Sequence, residues 1–295
     1  MQINDIRVIA VVGAGQMGSG IAQVCAAAGF RTSLSDVSLA QAESAKAKIG
    51  AVLEKQVAKG KLEASARAAL LARLECAAGS ERLGEADVVI EAATEQVELK
   101  LALLREIGSR MQRHAILASN TSSISLSRLA AALPEPAQVV GMHFMNPVPL
   151  MKLVELVRAL QTSDETFDLT RALAEKLGKT VITSIDRPAF IVNRMLVPFL
   201  NEACFALQEG LATAEDIDQG ARLGLNHPMG PLELSDFIGL DTLLAIGDVL
   251  HRDFGDDKYR APVLLRNMVA AGWLGKKTGR GFYRYDAQGQ KIAPG

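Results

Sequence analysis

Two ionisable residues interrupt an otherwise apolar stretch, GMHFMNPVPLMKLVELV at residues 141–157: His143 in its first run and Glu155 in its second. Either group buried alone is costly, whereas a hydrogen-bonded pair is tolerated. The two runs read as short strands joined by a turn that contains Pro147 and Pro149. A hairpin turning about Pro149 opposes residues whose numbers sum to 298, and 143 + 155 meets that sum. Opposed residues of an antiparallel pair have β-carbons about 5 Å apart, within reach of an imidazole–carboxylate hydrogen bond. The carboxylate would then fix the histidine tautomer and leave the other ring nitrogen facing a ligand, the arrangement general acid–base chemistry uses. A purely structural His–Glu pair, or a register shifted by one residue in the proline-containing turn, is the competing reading.

A second constellation lies near the N-terminus. In VVGAGQMGSG (11–20), Gly13, Gly15 and Gly18 form G-x-G-x-x-G between a strand-like run and a helix-like one, with Gln16 and Met17 in the same loop. Gly13 permits the tight turn, Gly15 lets a pyrophosphate approach the backbone, and Gly18 allows close helix–strand packing. The helix N-terminus offers amides and a positive dipole end to phosphates. Asp36 closes the next strand about twenty residues on, where a ribose-binding carboxylate belongs. It would repel a 2′-phosphate, and no Lys or Arg follows closely to offset it. NAD is therefore expected over NADP. The alternative is that Asp36 merely caps the helix beginning near Ser38.

Other polar residues are more ambiguous. SNTSS (119–123) contains Asn120 and Ser122 at the end of a strand, where ligands bind in doubly wound sheets. It could equally begin a helix, with Ser125 and Ser127 as further cap candidates. Asn193, inside an apolar helix, suits a structural hydrogen bond between domains. Lys55, Lys59 and Lys61 could meet a substrate phosphate or simply be a solvated face.

The elements that position these groups alternate. Strands are predicted at 7–13, 31–36, 86–93, 115–120 and 139–144, with MKLVELVR and TVITSID as possible additions to the same sheet. Short apolar runs separated by helix-length segments predict an α/β, Rossmann-like, doubly wound and mostly parallel sheet. About fifty residues separate the second and third of these strands, more than a crossover helix needs, so a helical hairpin over 39–59 and 63–73 is expected to project from the domain. A boundary at Arg187-Pro188 gives a nucleotide-binding domain at 1–186 and an all-helical domain at 187–295. Pro198 should kink its first helix, Gly210 should help end it, and the polar tail after Gly281 reads as a loosely held strand.

Composition narrows the function classes. With 295 residues, 49% hydrophobic and 22% charged, the chain is an ordinary globular protein. A formal net charge of −1 argues against nucleic acid or a membrane surface as partner. Cys25, Cys76 and Cys204 lack metal-ligand spacing and predict no metal and no disulfide framework. Without a leader-like or membrane-spanning run, a cytoplasmic location is expected.

Taken together, VVGAGQMGSGIA, DVVIEAATE, ILASNTSSISL, GMHFMNPVPLMKLVELV, FIVNRMLVPFLNEA, AEDIDQGARLGLNHPMGPLELSDFIGLD and AGWLGKKTGRGFY resemble the L-3-hydroxyacyl-CoA dehydrogenase family over essentially the whole chain, with the bacterial 3-hydroxybutyryl-CoA dehydrogenases the best match. The resemblance implies NAD-dependent interconversion of 3-hydroxyacyl-CoA and 3-ketoacyl-CoA, with His143 as acid/base and Glu155 as its orienting partner. It implies that Ser122 and Asn193 lie near substrate and nicotinamide, and that Asp36, Glu95, Lys100 and Asn146 are on the cofactor side. The lysine-bearing hairpin then helps hold coenzyme A, and the helical domain makes a homodimer. Met145 stands where the family usually has Phe, and Ala189 replaces a common Gly. Two rival readings remain: a dehydrogenase of a free 3-hydroxy acid or sugar acid, and a nucleotide-binding structural protein without activity.

Overall fold

In a computed structural model, which describes residues 1–292, the chain divides into two compact units, Met1–Phe190 and Ile191–Gly295. The first is an eight-stranded sheet in the order β3-β2-β1-β4-β5-β6-β7-β8. Its strands are β1 (Val8–Val12), β2 (Arg31–Asp36), β3 (Leu74–Ala78), β4 (Val88–Glu91), β5 (Ile116–Ser119), β6 (Val139–Phe144), β7 (Leu153–Arg158) and β8 (Thr180–Ile185). All neighbours are parallel except β6 and β7. The helices are α1 (Gln16–Ala27), α2 (Leu39–Ala58), α3 (Ala64–Arg73), α4 (Val97–Arg110), α5 (Leu126–Ala130) and α6 (Asp164–Lys176).

Alternation along β1 shows why both faces are covered. Ile9 and Val11 enter a core with Ile21 of α1, Ile49 of α2 and Leu173 of α6. Ala10 and Val12 enter a second core with Leu104 of α4 and Leu129 of α5. With helices on both faces, every central strand can be apolar throughout. Because strand order reverses between β1 and β4, a crevice opens at their C-terminal ends, where Gly13 and Ala92 meet.

The insertion differs from the expectation in one respect. Its helices occupy nearly the predicted ranges, yet Ala45, Ile49 and Leu53 of α2 and Leu70 of α3 are buried in the core, so the hairpin packs on the sheet and only its bend stands clear. It also delivers β3, an edge strand the pattern did not reveal. LECAA follows α3 without a Gly or Pro to mark the change, and Leu74 is itself the residue capping the helix.

The second unit contains α7 (Val192–Gln208), α8 (Ala214–Gly224), α9 (Pro231–Ile238), α10 (Leu240–Phe254) and α11 (Val263–Ala270), with a small hairpin of β9 (Arg284–Tyr285) and β10 (Lys291–Ile292). Pro198 lies inside α7, which continues past it. The tail is not loosely held as far as Tyr285. Asp236 on α9 accepts hydrogen bonds from the backbone N–H of Phe282 and Tyr283 (both 2.9 Å) and from the Tyr285 hydroxyl (3.0 Å). The Tyr283 hydroxyl donates to Asp218 on α8 (2.8 Å), and Asp218 also takes the Leu232 and Glu233 N–H groups at the start of α9. Burial pushes the Asp236 carboxyl up to about 6 despite these donors.

Candidate active site

The glycine loop is built around close backbone approaches. Gly13 has φ +104°, and a β-carbon there would stand 2.6 Å from the Ala92 carbonyl oxygen. A β-carbon on Gly18 would lie 1.7 Å from the Gly13 carbonyl oxygen, so neither position admits a side chain. Gly15, by contrast, faces open space. It is the N-cap of α1, whose first turn carries no acidic residue, leaving the amide end available to an anion. Asp36 is not the α2 cap, since Ser38 serves there. Its carboxylate instead accepts from the N–H of Ala14 (2.6 Å) and Val37 (2.8 Å), fixed beside the loop.

The dyad forms in the register a turn about Pro149 predicts: His143 of β6 is paired with Glu155 of β7. Nδ1 of His143 lies 2.7 Å from Oε2 of Glu155, with His143 7% exposed and Glu155 0%. A carboxylate only accepts, so Nδ1 carries the proton and Nε2 presents its lone pair. Phe190 packs edge-on against the imidazole, with ring centroids 5.7 Å apart and planes at 62°.

Around these two features the other expected residues divide. Asn146, in the β6–β7 turn, accepts a hydrogen bond from Gln16 of the glycine loop (3.1 Å), joining hairpin and loop. Met17 packs against the first core. Glu95 gathers the segment after β5, accepting from Ser122 N–H (2.7 Å), Ser122 Oγ (3.1 Å) and Thr121 Oγ1 (2.8 Å). Asn120 Oδ1 takes the N–H of Phe144, the residue after His143, at 2.9 Å. The cap of α5 is Ser125, which also donates to Asp186. Asn193 opens α7 in the second unit and is half-buried.

Lys100 does not stand open on the cofactor side. It is 2% exposed, and its ammonium donates to both oxygens of Glu91 at 2.7 and 2.6 Å. Glu91 is 0% exposed, ends β4, and also accepts from Ser119 Oγ (2.7 Å) and Ala93 N–H (2.8 Å). Lys100 thus braces the crevice from beneath.

A cleft of 620 Å³ runs from Gly15, Gln16 and Asp36 along α2, past Ser44 and Lys48, to Pro149 on the dyad's turn. Lys55, Lys59 and Lys61 are exposed beyond it towards the bend, outside its walls. Lys48 and Ser44 were missed because one lysine on a lysine-rich helix carries no signal without knowing which face meets the loop. A third missed residue is Lys179, nearly buried, whose ammonium donates to the Val148 (2.6 Å) and Met151 (2.8 Å) carbonyls and so pins the turn. Burial holds that ammonium below the usual lysine range. Among the described residues no group of His, Cys, Asp and Glu could hold a metal ion.

Comparison with known proteins adds to this geometry. Residues 8–187 match the family model for the NAD binding domain of 3-hydroxyacyl-CoA dehydrogenase, and residues 190–285 match that for its C-terminal domain. The chain is 50% identical over 289 residues to a 3-hydroxybutyryl-CoA dehydrogenase of Bradyrhizobium diazoefficiens, covering 98% of both chains. It superposes on the crystal structure of (S)-3-hydroxybutyryl-CoA dehydrogenase from Ralstonia eutropha with a TM-score of 0.92 and 49% identity, covering 95% of this chain and 99% of that one. A diketoreductase acting on dicarbonyl compounds is more distant, at 31% identity and a TM-score of 0.82, with 95% and 99% covered.

Proposed function

The chain belongs to the 3-hydroxyacyl-CoA dehydrogenase family, and from that premise we propose that it interconverts (S)-3-hydroxybutyryl-CoA and acetoacetyl-CoA as an NAD-dependent oxidoreductase. The observation that carries this reading is the buried His143–Glu155 pair, on a hairpin whose turn is hydrogen-bonded to a dinucleotide-binding loop.

The residues present fit NAD. Open space at Gly15 and the uncapped amides of α1 suit the pyrophosphate, and Asp36 suits a ribose hydroxyl. When bound, NAD would supply the hydride acceptor for C3 of the hydroxyacyl chain, and NADH the hydride donor for the reverse direction. His143 does the proton chemistry. In oxidation its Nε2 accepts the 3-hydroxyl proton as the C–O bond becomes a carbonyl; in reduction it donates that proton to the forming alkoxide. Glu155 holds the Nδ1 proton throughout, so the ring presents Nε2 in both directions. Ser122 is held by Glu95 through its N–H and its hydroxyl, and turning that hydroxyl from Glu95 to the reacting oxygen would polarise it; Asn193 takes a polar role in catalysis as the family resemblance implies.

For coenzyme A, Lys48 and Ser44 inside the cleft stand nearer the loop than Lys55, Lys59 and Lys61, which meet the outer phosphates. Initial-rate NADH oxidation is expected to be rapid with acetoacetyl-CoA and slow with free acetoacetate or with NADPH. Lys48→Ala is expected to raise the KM for acetoacetyl-CoA about tenfold, roughly the loss of one charge-assisted contact. Equal turnover of the free acid would instead favour a dehydrogenase of free 3-hydroxy acids.

The second unit exposes Met195, Leu211, Leu223, Leu225 and Val263, apolar side chains that a partner subunit would cover. This supports a homodimer through that unit, and light scattering is expected to read about twice the chain mass of 31.4 kDa. All three cysteines are free thiols, and no helix among the described residues is long and apolar enough to cross a membrane. Both features suit the cytoplasm, which fractionation with antibody detection would test.

A further inference from the structure

The first unit ends in an unusual piece of backbone. Ala189 has φ 60° and Phe190 φ 52°, two consecutive residues with side chains in the left-handed region. Each is disfavoured there by its own β-carbon, and a bulky residue more so. Neither can relax towards solvent: Ala189 is 0% exposed and Phe190 4%. The approach to the pair is anchored by Asp186, which accepts from Ser125 Oγ (2.7 Å) and Ser127 N–H (2.8 Å) and donates its own N–H to Arg158 O (2.9 Å). The Phe190 N–H then closes a turn on Arg187 O (3.1 Å). Strain held in place by its surroundings and located at a functional site points to what it delivers.

It delivers an aromatic ring to the imidazole. The hydrogen bond from Nδ1 to Glu155 restrains rotation about the Cβ–Cγ bond only within the angular tolerance of a hydrogen bond, so the ring can still rock about that axis. Such rocking tilts the ring plane and re-aims the Nε2 lone pair. The Phe190 ring, 5.7 Å away and steeply inclined, blocks this rocking. We propose that Phe190 is a positioning residue for His143: together with Glu155 it leaves the imidazole one orientation, and the left-handed pair Ala189–Phe190 is the backbone device that aims it. The proposal rests on the acid/base role of His143. It assigns Phe190 no contact with substrate or cofactor.

Two substitutions separate orientation from packing. Phe190→Leu keeps an apolar side chain of similar bulk but removes the flat ring, whereas Phe190→Tyr keeps the ring. Phe190→Leu is expected to lower kcat for acetoacetyl-CoA reduction about 3- to 10-fold, the worth of one edge-to-face contact. The KM values for NADH and acetoacetyl-CoA should stay within about twofold. With 4-deuterated NADH, its isotope effect on kcat should rise, since misplaced proton donation makes the chemical step slower. Phe190→Tyr should recover most of kcat. In a correlation spectrum of the imidazole nitrogens, the Nδ1–H tautomer should persist in Phe190→Leu but with broadened signals. Wild-type kcat and isotope effect in Phe190→Leu would overturn the proposal. So would equal losses in both variants that track a fall in Tm, because packing alone then explains them. Failure of the acid/base reading itself would show elsewhere, as turnover retained by a His143 variant.

Discussion

Replacing His143 with Gln is expected to lower kcat about 1,000-fold while leaving NADH binding, followed by its fluorescence, intact. The magnitude follows from what a positioned general acid contributes, typically 100- to 10,000-fold. Glutamine fills similar space and hydrogen-bonds Glu155, but it has no group able to exchange a proton with the 3-oxygen. KM for acetoacetyl-CoA should change little, since the lost interaction belongs to the transition state. Glu155→Gln should be milder, about 10- to 100-fold, because its amide oxygen can still accept from Nδ1 but no longer as a carboxylate. Turnover of His143→Gln within about tenfold of wild type would remove the dyad from the mechanism and return it to a structural role.

The second large effect falls on stability. Lys100→Met should destabilise the first unit by about 3–5 kcal/mol, because it leaves the Glu91 carboxylate buried with only Ser119 and Ala93 as donors. For a chain this long that corresponds to a fall in Tm of roughly 10 °C. Removing both charges should cost far less than removing one. The double variant Glu91→Gln, Lys100→Met is therefore expected to unfold closer to wild type than the single one, in urea or on heating. If Lys100→Met keeps its stability and only the KM for NADH rises, Lys100 reaches the cofactor after all and the bracing role is wrong.

These two experiments probe residues of very different legibility. The dyad can be read from the sequence because strand alternation and turn position together specify a register, and only one register pairs His143 with Glu155. The glycine loop is legible for a similar reason: its spacing is a set of steric demands. Lys100 is another matter. Within EQVELKLALL it looks like a solvated helix lysine, and its partner lies nine residues upstream at the end of a strand, so helical spacing does not reveal it. Lys179 and Phe190 are hidden for a different reason, since each acts on a segment distant in the chain. Edge strand β3 shows a further limit, because nothing in LECAA distinguishes a strand from one more helical turn. Long-range contacts of this kind depend on the assembled sheet, which composition and periodicity do not encode.

The single antiparallel step between β6 and β7 has a consequence for how this site forms. Parallel neighbours need a crossover of a dozen or more residues, so paired groups on them are separated by a whole helix. Here the two members of the dyad are only 12 residues apart, joined by one turn. The pair proposed to handle the proton is therefore carried by one contiguous segment, able to close early in folding because its loop is short.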